Sequence, residues 1–332
     1  MNNFFQGKKV LVTGGTGLIG VPLVRGLLRA GADVKVVSLD KESPFEDKVV
    51  FIRGDLCESA VCAEAVKNVD VVFHLAGLKG GIGVSQSKAS TFLVKNILMN
   101  TLLMEVARKA NIGRFIYASS ICIYPPARIF KEENAWKGFP HPSDRFGGMA
   151  KLIGEMQIEA YRLQYHLENF FIARPTNTYG PYDNFNPVSS LIIPALIHRV
   201  FKGENPLVIW GDGSAVRDFI FCEDVADFLM LMVAENASGP FNVGSGVPVS
   251  IKTVAETVAR QAEKFIGKKV ILRWDKTKAA GERFRVASIQ KAKTQLGWSP
   301  KTDLNTGILK TIEWYVAHRS FLPDRYTILS EE

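Results

Sequence analysis

The first half of the chain alternates short, nearly unbroken apolar runs with longer stretches of helical periodicity. "KKVLVT" (8–13), "VKVVS" (34–38), "VVFIRG" (49–54), "DVVFHLA" (70–76), "GRFIYASS" (113–120) and "NFFIARP" (169–175) read as strands. Between them, "LIGVPLVRGLLRA" (18–30) reads as a helix, with Pro22 in its first turns and Gly31 as its stop. Further helices are expected across about 89–110 and 149–166. Strands that are apolar at every position are covered on both faces, and helices between them make the connections parallel. The pattern predicts an α/β fold with a doubly wound, Rossmann-type parallel sheet.

After about residue 176 the pattern loosens. "YGPYDNFNPVSS" (179–190) is a polar loop, followed by an expected helix at about 190–202. "PLVIWGDGSAVRDFIF" (206–221), "GPFNVGSG" (239–246) and a helical segment from about 250 to 266 complete the readable part. The division expected is a dinucleotide-binding domain over 1–176, with returning segments near 218–245, and a smaller lobe over 177–217 and 246–332. Ligands in such folds sit beyond the carboxyl ends of the strands, so the lobe is expected to close over that edge.

Composition narrows the partners. The chain has 332 residues, 47% of them hydrophobic, enough for a large core. No apolar run reaches the length of a membrane span, and the N-terminus lacks a signal-peptide layout. Cys57, Cys62, Cys122 and Cys222 show no metal-type spacing, which fits reduced thiols in a cytoplasmic protein. The net charge of +8 is scattered, without the dense basic run expected of a nucleic-acid binder. A small diphosphate ligand would use part of that excess.

"TGGTGLIG" (13–20) follows a strand and opens a helix, with Gly14, Gly17 and Gly20 spaced G-x-x-G-x-x-G. Such a loop lets backbone N–H groups approach a pyrophosphate at the helix N-terminus. The end of the second strand should distinguish NAD from NADP. Asp40 there would bind ribose hydroxyls and favour NAD, whereas Ser38 with Lys41 would admit NADP; NAD is the preferred expectation. Asp55, in "RGDL" (53–56), is a candidate for the adenine edge or a helix N-cap. In "YASSICIYP" (117–125), Ser120 and Cys122 are two residues apart and would point the same way on an extended backbone. A serine can bind a sugar oxygen. A thiol of lowered pKa can move a proton at carbon, although a small buried cysteine is the blander reading.

Over its full length the chain resembles the extended short-chain dehydrogenase/reductase (NAD-dependent epimerase/dehydratase) superfamily, and within it the GDP-sugar branch of GDP-fucose synthases and GDP-mannose 3,5-epimerases. The likeness is carried by "TGGTGLIG", "HLAG" (74–77), "KGGIG" (79–83), "SSICIYP" (119–125), "RPTNTYGPYDNFNP" (174–187), "IPALIHR" (193–199), "VIWGDGSAVRDFIFCEDVA" (208–226), "FNVGSG" (241–246) and "LGWSP" (296–300). The resemblance implies NAD or NADP as cofactor, a GDP-linked sugar as substrate (UDP- or dTDP-sugar as runner-up) and a homodimer. It implies a cofactor site at Gly14, Gly17, Leu18, Ile19 and Gly20, with Asp40, Asp55 and Leu56 toward the adenosine. Leu75, Ala76, Gly77, Lys79, Asn96, Lys151 and Pro175 would line the rest of that site. Gly81, Ser120, Asn177, Arg199, Trp210, Arg217 and Arg285 would hold the nucleotide sugar. Ser120 and Lys151 take catalytic places, and Cys122 takes that of the epimerases' proton-transferring cysteine.

Two positions depart from the family. Its catalytic tyrosine, four residues before the lysine, is Gly147 here, and its second epimerase acid/base falls on Leu191 or Ile192. Three readings of Gly147 stand side by side. Cys122, Lys151 or a water acts in a rearranged site; the protein binds a nucleotide sugar without turnover; or the sequence is an engineered variant. Tyr117, Tyr124 and Tyr179 have structural roles open to them and are not assigned the base.

Overall fold

The computed structural model describes residues 3–278 and 282–322; the expected lobe segment 323–332 lies outside them. Seven strands form the central sheet: β1 (Lys9–Thr13), β2 (Asp33–Ser38), β3 (Val50–Arg53), β4 (Val71–His74), β5 (Arg114–Ala118), β6 (Phe170–Pro175) and β7 (Phe241–Val243). Their spatial order is β3-β2-β1-β4-β5-β6-β7, and every pairing is parallel. The order reverses between β1 and β4, which opens the crevice where such sheets bind ligands.

The apolar runs work because both faces are covered. Val10 and Val12 of β1 enter one core with Val34, Val36, Phe73 and Ile116, under the helices Gly20–Arg29 and Cys222–Ala234. Leu11 turns to the other core with Val37, Val72 and Phe115, under the helices Ala89–Lys109 and Arg145–Tyr165. The period of two is present, hidden because both sets of side chains are apolar.

The smaller lobe has its own core around Ile193, Leu196, Val254, Val258 and Ile312. A four-stranded sheet there runs Val249–Ser250, Val216–Arg217, Phe284–Ala287, Ile129–Phe130. Its last strand comes from the first half of the chain, which the hydrophobic pattern did not reveal. The segment after 218 also divides: Phe219–Phe221 pairs with Asn177–Tyr179 in a separate ribbon, and Phe241–Val243 joins the central sheet.

Two sequence expectations are corrected. The helix expected from 149 begins at Arg145, because Gly147 and Gly148 are inside its first turns rather than before it. Residues 121–123 are not extended: β5 ends at Ala118 and Ile121–Ile123 is a 3-10 turn. Ser120 Oγ accepts from the Cys122 N–H at 3.2 Å, closing that turn in place of a strand partner.

One buried ion pair ties the second of these helices to the sheet. Arg174 in β6 donates to both carboxylate oxygens of Glu155, at 3.0 and 2.7 Å, and both side chains are almost fully buried. A third nitrogen, Nη1, donates to the Tyr124 hydroxyl at 2.8 Å and the Glu132 carbonyl at 3.0 Å. Breaking such a pair leaves one charge unpaired in a low-dielectric interior. We expect Glu155→Gln to cost about 3–5 kcal/mol in urea unfolding, and the double variant Glu155→Leu/Arg174→Met to recover much of it. A loss below about 1 kcal/mol in the single variant would contradict this.

Candidate active site

The glycine loop fits a dinucleotide phosphate. Gly14 has φ +64°, a conformation side chains resist, and a Cβ on it would lie 3.1 Å from Ala76. A Cβ on Gly20 would lie 2.3 Å from the Gly14 carbonyl oxygen, so helix and loop approach closer than any side chain permits. The loop is held from beneath by a directed chain of hydrogen bonds. The Ala76 N–H donates to Thr13 Oγ1 (3.1 Å), and Thr13 Oγ1 lies 2.8 Å from His74 Nδ1. His74 Nε2 lies 2.9 Å from Asn100 Oδ1, and Asn100 Nδ2 donates to the Tyr117 hydroxyl (2.9 Å). Burial, helped by the Lys151 charge, lowers the His74 pKa to about 3, so the ring is neutral and links donors to acceptors in one direction.

At the end of β2 the Asp40 carboxylate accepts from Thr16 Oγ1 at 2.6 Å, and Thr16 Oγ1 lies 2.8 Å from Ser38 Oγ. The acid is thus docked on the glycine loop. Asp55 accepts from the Cys57 N–H (2.9 Å) and pairs with Lys95 (3.6 Å), and the next helix starts after Glu58, so Asp55 closes a turn and is not that helix's N-cap. Leu56 is buried beside it. At the end of β4, Asn96 Oδ1 accepts from Leu78 N–H (2.9 Å) and would be 3.4 Å from a Cβ on Gly77. Lys79 pairs with the buried Asp183 at 3.3 Å, and the Gly81 N–H donates to Ser189 O, joining this loop to the 181–190 segment. Leu75 packs against the core beside Ile19; Leu18 joins the lobe core; Pro175 ends β6.

Lys151 reaches in from the active-site helix. Its ammonium donates to the Ala118 carbonyl at 2.8 Å and would sit 3.3 Å from a Cβ on Gly77. Burial lowers its pKa to about 8. Cys122 is partly exposed, and enclosure of its thiol followed by the field of Asp144 raises its pKa to about 11. The Ser120 hydrogen bond and the Arg285 and Lys151 charges pull the other way. Cys122 is thus hydrogen-bonded to Ser120 and feels the charges of Asp144, Arg285 and Lys151. Sequence reasoning missed Asp144; its only signal was its place seven residues before Lys151.

The lobe sets two arginines side by side. Arg217 and Arg285 are register partners on adjacent parallel strands. Arg285 pairs with Asp144 through Nη1, while its buried Nε lies 3.2 Å from Glu282 without making a hydrogen bond. Asn177 donates to the Asp218 carbonyl (2.8 Å), and Trp210 is 65% exposed, with Lys278 over its ring at 6.0 Å. Arg199 is placed differently: Glu204 and the Val208 carbonyl hold its guanidinium within the lobe.

The two glycines are not equivalent. A Cβ on Gly148 would lie 2.4 Å from the Cys122 carbonyl oxygen and 2.8 Å from Pro140. A Cβ on Gly147 would meet only Phe92, at 3.9 Å. Gly148 is therefore required by packing, whereas Gly147 leaves open space one turn before Lys151. No described tyrosine fills it. Tyr117 and Tyr124 are buried and hydrogen-bonded, their pKa values raised first by burial, and Tyr179 is likewise buried under the lobe.

Fold and glycine loop together define a Rossmann-type dinucleotide-binding protein. A model of the NAD dependent epimerase/dehydratase family matches residues 10–244, and the chain belongs to that family. It is 33% identical over 320 residues to "Probable GDP-L-fucose synthase 1" of Oryza sativa subsp. japonica, covering 94% of this chain and 93% of that one. Among solved structures, an epimerase from Methanothermobacter thermautotrophicus superposes with TM-score 0.83 at 27% identity, over 96% of this chain and 95% of that one. A Thermus thermophilus UDP-glucose 4-epimerase in complex with NAD gives TM-score 0.79 at 26% identity, over 93% and 99%.

The glycine contrast is testable without any ligand. Gly147→Ala should raise stability by about 0.5–1 kcal/mol, the helix propensity difference, since the methyl meets open space. Gly148→Ala should lower it by about 1–3 kcal/mol, the usual cost of overpacking. Equal effects in thermal unfolding would contradict the placement.

Proposed function

We propose that the protein is an NAD(P)-dependent GDP-sugar epimerase or reductase, acting at a sugar carbon of a nucleotide-diphosphate sugar. The observations that carry this are the Ser120–Cys122 hydrogen bond, the Lys151 ammonium set beside Gly77 at the end of β4, and the side-by-side register of Arg217 and Arg285. When bound, the nicotinamide supplies reversible hydride exchange with the sugar carbon. The protein's own groups do the rest. N–H groups of the Gly14–Gly20 loop would hold the pyrophosphate of the cofactor. Lys151 would hold the nicotinamide ribose and keep positive charge over the reacting oxygen. Ser120 would orient that oxygen by hydrogen bonding. Cys122, whose thiol burial holds protonated instead of lowering its pKa as the sequence reading required, would act as a proton donor at a neighbouring carbon. Arg217 and Arg285 would bind the substrate diphosphate, and Trp210 offers an exposed ring on which a base can stack. The carboxylate of Asp40 at the end of β2 favours NAD over NADP, because a 2′-phosphate would meet a negative charge there.

The GDP assignment rests on the sequence branch and the rice relative's name. A homodimer is also proposed. The packed helices Ala89–Lys109 and Arg145–Tyr165 expose Val94, Leu98, Met156 and Leu163 at helical spacings.

A thermal-shift panel tests the substrate class. Ligand that binds only the folded state raises the melting temperature, so GDP should shift it more than UDP or dTDP. Arg217→Ala should abolish that shift and leave the NAD shift intact. A UDP shift with none for GDP would overturn the GDP assignment.

The vacancy at Gly147 favours a second reading, a binding protein without turnover. Solvent-deuterium wash-in decides between them. An enzyme should incorporate deuterium at the carbons of GDP-L-fucose, and Cys122→Ser should abolish it. No incorporation by the unmodified chain, and no change in nicotinamide absorbance, would leave only binding.

A further inference from the structure

The open face at Gly147 is bordered by a carboxylate. Asp144 is the N-cap residue three positions before Gly147, and Gly147 and Lys151 share one helix face a turn apart. Helical side chains lean toward the N-terminus, so a side chain at 147 would cover the turn that Asp144 occupies. With glycine there, nothing from position 147 shields the Asp144 carboxylate from the Lys151 side of the cleft. Asp144 precedes the helix as its N-cap residue, yet its side chain makes no capping hydrogen bond. The carboxylate is spent instead on Arg285, and both groups are largely buried.

That pairing occupies the anion site. Arg285 stands in register beside Arg217, and among the described residues the Arg217 side chain has only the neighbouring Val216 carbonyl as a hydrogen-bond acceptor. Among the described residues the buried Arg285 Nε makes no hydrogen bond, although Glu282 lies 3.2 Å away. Two adjacent guanidiniums suit a diphosphate, and the carboxylates now facing Arg285 satisfy it incompletely, since Glu282 lies 3.2 Å from its Nε without a hydrogen bond. Asp144 is also close enough to Cys122 for its charge to act on the thiol.

We propose that Asp144 takes the acid/base place left vacant at Gly147, and that Arg285 holds its carboxylate until a substrate diphosphate displaces it. This rests on the nucleotide-sugar reading above. In the oxidative direction the sugar O–H bond breaks and its proton goes to Asp144, directly or through one water. The carbon–oxygen bond becomes a carbonyl as the carbon-bound hydrogen leaves with its electron pair to the oxidised nicotinamide, which is the oxidant. In the reductive direction Asp144 returns the proton. Substrate binding and release of the base are then one event.

The two halves predict opposite effects of one substitution. Asp144→Asn removes the hydrogen-bonded competitor and leaves only Glu282 beside Arg285, so pyrophosphate should bind about fivefold more tightly by calorimetry. The same variant should slow hydride exchange between GDP-L-fucose and NAD(P) by ~10²–10⁴-fold, the usual worth of a positioned acid/base. Asp144→Glu, which restores a carboxylate, should recover most of that rate. A merely structural role would weaken binding and rate together. Unchanged or weaker pyrophosphate binding in Asp144→Asn would overturn the proposal, as would hydride exchange at the unmodified rate. If the unmodified chain does not act on GDP-L-fucose, the substrate assignment fails, and pyrophosphate titration still decides whether Asp144 guards Arg285.

Discussion

The bidentate pair between Arg174 and Glu155 sets the depth and rotation of the helix on which the candidate chemistry depends. Glu155 lies one turn beyond Lys151, and Arg174 lies immediately before the carboxyl edge of β6. Two parallel hydrogen bonds between planar groups permit little sliding, and burial makes any misfit expensive. Lys151 is thereby aimed across the ends of β4 and β5 at Gly77 and the Ala118 carbonyl. The remaining Arg174 donor passes the constraint on. Tyr124 receives it and donates to Asn242 Oδ1 at 2.7 Å, and the Asn242 amide binds the Phe130 and Ser288 carbonyls of the lobe sheet. One charged pair thus registers helix, central sheet and lobe against each other.

A second buried acid closes the lobe over the sheet edge. Asp218 is fully buried and accepts from Ser245 N–H (2.8 Å), Ser245 Oγ (2.6 Å) and Gly246 N–H (3.1 Å). Burial raises its pKa, and these hydrogen bonds oppose the rise. It lies next to Arg217, so the cationic strand that faces the mouth is pinned from behind. The site therefore rests on satisfied polar networks, where a missing partner costs more than the net worth of any one bond. Flexible tuning is left to the mouth itself, where Asp144, Arg285 and Glu282 are only partly matched.

Much of this was legible along the chain. The strands were, because burial on both faces demands unbroken apolar runs. The glycine loop was, because close backbone approach excludes side chains at particular positions. That Gly147 and Lys151 share one face of one helix was also legible, from their four-residue spacing. The turn at Ser120–Cys122 was not, because one side-chain hydrogen bond outweighed the extended preference of "SICIY". Nor was the start of the helix at Arg145, four residues before the apolar periodicity becomes readable. Arg199 read as a ligand-binding cation, but Glu204, five residues away, captures it.

The sequence by itself determined the parallel sheet, the order of its elements and the residue types brought to the phosphate loop, because those follow from local periodicity and sterics. Tertiary structure alone decided which charges meet. The Ile129–Phe130 strand crossing into the lobe, the register of Arg217 beside Arg285, the bond from Asp144 to Arg285, and the difference between a crowded Gly148 and an open Gly147 all join residues from separate elements. Coulombic and packing energies depend on distances through space, and spacing along the chain does not contain those distances.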